Sequence, residues 1–222
     1  ELATIHANHC AHENWHFLSW HRAYLLYFEA ICRRVSGYQY FMLPYWDWTR
    51  NDKIHPAFLQ GSLNHPRSFS GVDDAVKIST KKSAVTIAMS KPDFEKFGGV
   101  PSKEHRSRIS RLAESIENPH NIIHGDIGGD MNDPALAARD PIFWIHHANV
   151  DRLWCSWNQT YSNPTKTDWL DYDKYTFINP QSNRVYTPRE INDTRKNGYY
   201  YENLESRPML TTAPQTIGSD LL

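Results

Sequence analysis

The sequence predicts a mainly α-helical domain built around a few long helices that face one another, with extensive irregular loops and few short strands. Three observations carry that reading. Apolar residues recur at helical spacing from Trp15 to about Ser36, with no Gly or Pro until Gly37. A second breaker-free run, Ile142 to Trp157, starts behind Asp140-Pro141, a helix-opening pair. Beyond Asn158 the chain is rich in Asn, Thr, Tyr and Pro and has few periodic runs of either kind.

Taken in order, residues 1–14 read as a loop ending near Asn14, and the long helix follows. YFMLPYWDWT comes next, an aromatic segment whose Pro44 favours extended or turn backbone. Residues 50–103 are mixed and polar, which predicts irregular loops and short helices. Ser102 to Glu117 is a polar helix candidate. Pro119 restarts the chain in the first turn of a helix carrying His120 and His124, and Gly125 to Asp133, with Gly128-Gly129 inside it, reads as a loop. Residues 206–222 look like a tail or linker, so the organisation expected is one domain over 1–204 and a tail over 205–222.

A chain of 222 residues can bury a sizeable core. Its net charge of −1 gives no reason to expect nucleic acid, a membrane surface or a strongly charged substrate. Eight Trp, twelve Tyr and nine Phe supply contact area at few positions and suit a pocket for a flat ring. Three Cys (Cys10, Cys32, Cys155) are too few for a disulfide scaffold, and the odd count leaves at least one outside any intrachain bridge. No apolar run is long enough for a membrane span. The chain opens on Glu1 without a signal pattern, as a processed or truncated product would, so the expectation is a soluble chain whose targeting signal is out of view. Two sequons, at Asn158 and Asn192, would permit glycosylation in a secreted chain.

Histidine is the outlier. Of twelve, nine fall in two short clusters: His6, His9, His12, His16 and His21, then His120, His124, His146 and His147. His120 and His124 are four apart, so a helix stacks them on one face toward one metal, and His147 from a later helix makes a third. The first cluster offers the same with His21 on a helix and His6 and His12 before it. Sets of three neutral imidazoles, with no thiolate or carboxylate forced into the shell, favour copper. Structural zinc closes a shell of four and uses thiolates. His55, His65 and His105 read as surface or loop residues.

CAHENWHFLSWHRAYLLYFE resembles the CuA motif of tyrosinases, catechol oxidases and molluscan-type hemocyanins, and HNIIH followed by DPIFWIHHANVDRLW resembles their CuB motif. PYWDWT and the late Gly198-Tyr199-Tyr200-Tyr201 are similar to further landmarks of that type 3 copper family, and the likeness covers most of residues 5–204. It implies a four-helix bundle housing a dinuclear copper site, with His6, His12 and His21 on one ion and His120, His124 and His147 on the other. His9 is the alternative to His6. His146 is implied to stand beside the ligands without binding, Phe143 to pack against the second set, and Cys10 to form a thioether with His12. Cys32 and Cys155 are expected as core thiols, Asp47, Asp140 and Arg152 as capping or ion-pairing residues, and Asp151, one turn after His147, either to orient a ligand or to pair with an Arg.

The activity implied is oxidation of phenols and o-diphenols to o-quinones with dioxygen. Glu117 and Asn121 match positions in fungal tyrosinases thought to hold a water that deprotonates the incoming phenol. A phenol with a pKa of about 10 is mostly neutral at pH 7, so a positioned base lowers the cost of forming the phenolate. The rivals are catechol or o-aminophenol oxidation without monophenol activity, and oxygen carriage. Against carriage, residues 202–222 are too few for the β-domain that shields hemocyanin units, so an open enzymatic form is expected.

Overall fold

The computed structural model describes residues 1–51, 53–68, 78–102, 112–173, 175 and 185–205. It is helical, as expected from the periodicity. The α-helices run α1 (Leu2–His9), α2 (Phe17–Ser36), α3 (Ile78–Met89), α4 (Phe94–Phe97), α5 (Glu117–Ile127), α6 (Pro141–Trp157), α7 (Thr167–Leu170) and α8 (Pro188–Ile191), with short 3₁₀ turns between them. An isolated antiparallel β bridge joins Tyr175 with Tyr186.

The two helices read most directly from sequence are α2 and α6, and they pack on each other. Helix α2 buries the turns from Phe17 to Leu25 and exposes its last turn, where Gly37 takes φ 70° and stops it without the steric penalty a Cβ would bring. Helix α6 is buried on nearly every side, so it is the central strut of the molecule. Its start is set locally. Pro141 occupies the first turn and Asp140 caps it, accepting a hydrogen bond from the Ile142 N–H at 2.9 Å. The buried Asp140 carboxylate also takes two hydrogen bonds from Arg67, both 2.7 Å.

An aromatic wall backs α6. Phe97 stacks on Trp157 with centroids 4.6 Å apart, and Phe94 meets Trp157 and Trp169 edge-on. On the other side buried ion pairs tie α6 to its neighbours. Arg22 of α2 donates to Asp151 at 2.6 Å, and Tyr199 and Tyr201 donate to the other Asp151 oxygen at 2.8 Å each. Arg152 pairs with Asp47 of the PYWDWT segment and with Glu205. The late tyrosines are thus pinned to the base of the helix that carries His147. These carboxylates and guanidinium groups have the structural roles expected of them.

Three local expectations need correction. Residues 1–14 are not all loop: Leu2–His9 is helix α1, a stretch with almost no one-sided apolar pattern, held by docking rather than by amphipathicity. Gly125 does not end α5. The helix runs on to Ile127, Gly128 at φ 63° turns the chain, and a 3₁₀ turn follows over Gly129–Asn132. Cys32 and Cys155 are half-buried rather than core. Most of the polar helix expected over 102–117 lies outside the described residues, which include only a 3₁₀ turn at Leu112–Glu114 and the start of α5. The tail at 206–222 and His105 also lie outside them. No described helix is long and apolar enough to cross a membrane.

Candidate metal centre

Helices α1, α2, α5 and α6 converge on two groups of imidazoles. His6, His12 and His21 form one, and His120, His124, His146 and His147 the other; within each group a ring nitrogen of every member lies within 4.8 Å of the others. The groups abut. His21 stacks on His147 with centroids 4.3 Å apart at 9°, and His12 and His120 are 5.9 Å apart.

The orientation of the rings follows from what their outer nitrogens do. His6 Nδ1 donates to the Pro134 carbonyl at 2.6 Å, His21 Nδ1 to the Phe17 carbonyl at 2.8 Å, and His124 Nδ1 to the Met131 carbonyl at 2.6 Å. His120 Nδ1 donates to Asn121 Oδ1 at 2.9 Å. A carbonyl or amide oxygen can only accept, so these four rings carry their proton on Nδ1 and turn an Nε2 lone pair inward. The inward atoms crowd. His6 and His21 bring their Nε2 atoms to 3.3 Å, and so do His120 and His147, while Nε2 of His124 is buried without a hydrogen-bond partner among the described residues. Lone pairs aimed at one another across a dry space call for a cation between them. The donor set is imidazole, with no thiolate or carboxylate in either group, and that suits copper.

Within the His146-His147 pair the positions differ. His147 faces His120 and stacks on His21, so it looks into the space both groups share. The His146 ring lies flat against His120, 5.1 Å away, with Trp48 of the PYWDWT segment 6.0 Å off on its other side. Phe143 stands 4.3 Å from His147, 4.9 Å from His6 and 6.1 Å from His124, so it touches both groups and not one alone. His9 is exposed at the end of α1, away from the cluster that holds His6. His16 is buried but faces elsewhere, stacked on Tyr172 at 4.0 Å and 3.0 Å from the Tyr175 hydroxyl. His55 is exposed and accepts from the Ala57 N–H, and His65 pairs with Asp130. Cys10 Sγ lies 3.2 Å from His12 Nδ1.

Electrostatics keeps the cluster neutral. Burial lowers His124 to about 4 against a raising hydrogen bond to Met131, and it holds His21, His120 and His147 well below the usual value. Glu117 is the reverse case. Burial pushes its carboxyl up to about 8, opposed by the Glu13 N–H, which donates to both oxygens at 3.0 and 2.8 Å.

A cavity of about 290 Å³ opens onto the two groups, and Glu117, Asn121, Met131 and Asn132 line it beside His6, His12, His120 and His124. A Cβ added at Gly125 would meet nothing nearer than Asn132 Oδ1 at 3.9 Å. Sequence reasoning did not anticipate the Pro134 and Met131 carbonyls. Met131 lies in the stretch read as a loop and Pro134 just past its end, and backbone acceptors leave no mark in a sequence.

The chain is similar to several proteins of known character. It is 33% identical to a tyrosinase of Hahella sp. over 93% of this chain and 50% of that protein. It is 32% identical to the chloroplastic polyphenol oxidase II of Ipomoea batatas over 91% of this chain and 41% of that one. The fold matches latent apple tyrosinase with a TM-score of 0.76 at 24% identity, covering 92% of this chain and 55% of that structure. It also matches an octopus hemocyanin functional unit with a TM-score of 0.68 at 23% identity, covering 89% and 54%. The chain spans about half the length, or less, of these curated relatives. A model of the common central domain of tyrosinase matches residues 1–84 and 60–160. With both histidine groups inside the matched span, the chain belongs to the tyrosinase family of dinuclear copper proteins.

Proposed function

We propose that this domain oxidises monophenols and o-diphenols to o-quinones with dioxygen, at two copper ions held by His6, His12 and His21 and by His120, His124 and His147. The carrying observation is the pair of abutting imidazole groups whose Nε2 atoms converge while backbone and amide oxygens hold their Nδ1 protons. Bound there, the copper pair supplies the dioxygen site and the electron transfer. Two diphenols and one dioxygen give two quinones and two waters; one monophenol and one dioxygen give one quinone and one water.

The chain's own groups do the rest. Phe143 and the buried rings keep the site dry. Glu117 takes the phenol proton, directly or through a water. Asn121 uses its carbonyl oxygen on His120, so its NH2 group is what remains to hold a water or the substrate hydroxyl. His146 backs His120 and Phe143 sets the width between the groups. A Cys10–His12 thioether fits the 3.2 Å approach of the sulfur to the ring; forming it removes two hydrogens, with dioxygen as oxidant, and would lock the orientation of the ring. The domain is assigned to 1–204.

Oxygen uptake tests this at matched copper content. Steady uptake with catechol and tyramine is expected; stoichiometric binding without turnover would make the protein an oxygen carrier, as its likeness to octopus hemocyanin allows. Glu117→Gln and Asn121→Gly should lower turnover of tyramine more than that of catechol. Equal loss on both would leave them structural, and a wild type inert on every monophenol would restrict the activity to diphenols.

A further inference from the structure

One turn serves both histidine groups. The chain from Gly129 to Pro134 offers the Met131 carbonyl to His124 and the Pro134 carbonyl to His6, each at 2.6 Å. A ring of either group therefore takes its bearing from the same few residues. His21 and His120 differ, because their Nδ1 atoms donate to acceptors close in sequence, Phe17 one helical turn back and the adjacent Asn121. Residues 65–68 clasp the shared turn from outside. His65 Nε2 donates to Asp130 Oδ2 at 2.9 Å, and Asp130 directly precedes Met131. The Asp130 carbonyl accepts from the Asp133 N–H at 3.1 Å, which ties it to the Pro134 end of the turn. Ser68 accepts the Gly129 N–H on its hydroxyl at 3.2 Å and donates its own N–H to the Ile127 carbonyl at 3.0 Å. The approach is close enough that a Cβ at Gly129 would run into the Pro66 carbonyl, and one at Gly128 into the Ser68 side chain.

We propose that His65 is a positioning residue for the metal centre: through Asp130 it fixes the turn whose carbonyls orient His124 and His6, and so keeps one imidazole of each group aligned with the other. This rests on the two-copper reading above. An acceptor that drifts lets go of the Nδ1 proton it held, and the ring is then free to turn its Nε2 lone pair away from the metal. Because both acceptors sit on one turn, loss of the His65–Asp130 pair acts on the two groups together. Loss of the Asp140 cap, which Arg67 of the same clasp engages, acts instead through α6.

The experiment reads the ring N–H protons by NMR in the reduced, copper-loaded protein, where copper(I) is diamagnetic, and again with the metal left out. In His65→Ala the Nδ1 protons of His124 and His6 should shift and exchange faster with solvent, while those of His21 and His120 stay in place. Copper retention against a competing chelator should fall about tenfold, with both ions affected rather than one. His65→Gln still offers an amide N–H to Asp130 and should restore the wild-type spectrum and retention. His65→Leu keeps the bulk without the donor and should behave as the Ala variant does, which covers an Ala variant that folds poorly. Equal movement of all four protons, movement of none, or failure of Gln to restore them overturns the inference and leaves the oxidase reading intact. A chain that binds no copper overturns the metal reading instead, and the metal-free spectra then decide the role of His65 by themselves.

Discussion

The two histidine groups hold the same kind of ring in different ways. His120, His124 and His147 come from two helices, with the first pair one turn apart on α5 and the third on the deeply buried α6. His6, His12 and His21 come from three separate pieces: a short helix, a connecting segment and the start of α2. The second group is positioned by helical repeat and by the rigidity of α6. The first depends on docking, for His6 is oriented by the carbonyl of Pro134, 128 residues away in sequence, and His12 lies against the Cys10 sulfur. A ligand on a helix inherits precision from the helix; a ligand on a connecting segment needs a partner to fix it.

The largest test of that contrast is loss of a helical ligand. His147→Ala should remove about one copper per chain and abolish oxidase activity, seen by metal analysis and oxygen uptake. His146→Ala should keep both coppers and part of the activity, and the reverse result would exchange the two roles. Next comes the footing of α6. Asp140→Ala deletes a buried cap and leaves Arg67 without its carboxylate, which costs about 3–5 kcal/mol by denaturant unfolding. If α6 is the precision element claimed, the copper bound near His147 should loosen before that near His21.

The copper-free protein should show the cost of neutral burial. An imidazole held below its usual pKa stays neutral in the fold and takes a proton only on unfolding. Stability is therefore full above about 6.5 and falls as pH drops from there through the lowered values, about 4 for His124 and about 3 for His16. Glu117 has the opposite sign: its folded pKa is raised, so stability falls as pH climbs from about 4.5 toward 8. At 1.36 kcal/mol per unit the Glu117 arm amounts to about 5 kcal/mol and the histidine arm to more than that. A urea-midpoint profile that stays flat below pH 6, or an alkaline arm that survives Glu117→Gln, would contradict this. The smallest effect expected is at the segment ligand. Cys10→Ala should weaken copper retention at the first group about tenfold or more, and the intact wild type should be lighter than its sequence by two hydrogens once any disulfides are reduced. A Cys10 that alkylates freely in the unfolded, copper-loaded chain would exclude the thioether.

Helices α2 and α6 were legible because their signals are local: one apolar face ended by Gly37, and an Asp-Pro cap ahead of a breaker-free run. His120 and His124 were legible for the same reason, since a separation of four on a helix is already geometry. Helix α1 was not, because its eight residues carry almost no one-sided pattern and are stable only against the rest of the molecule. The end of α5 was misplaced because Gly125 lies within the helix, and the turn that ends it depends on Gly128 and on what packs around it.

By itself the sequence determined the metal chemistry, through the number and type of imidazoles, and it placed two of them, His120 and His124, by helical repeat. Tertiary structure placed His6 rather than His9 in the cluster, set how the His146 and His147 rings lie within it, and decided which carbonyls turn the rings inward. Those choices depend on contacts between residues far apart in the chain. Such contacts arise only when α1, α2, α5 and α6 bury their faces together, and no local pattern of residues encodes them.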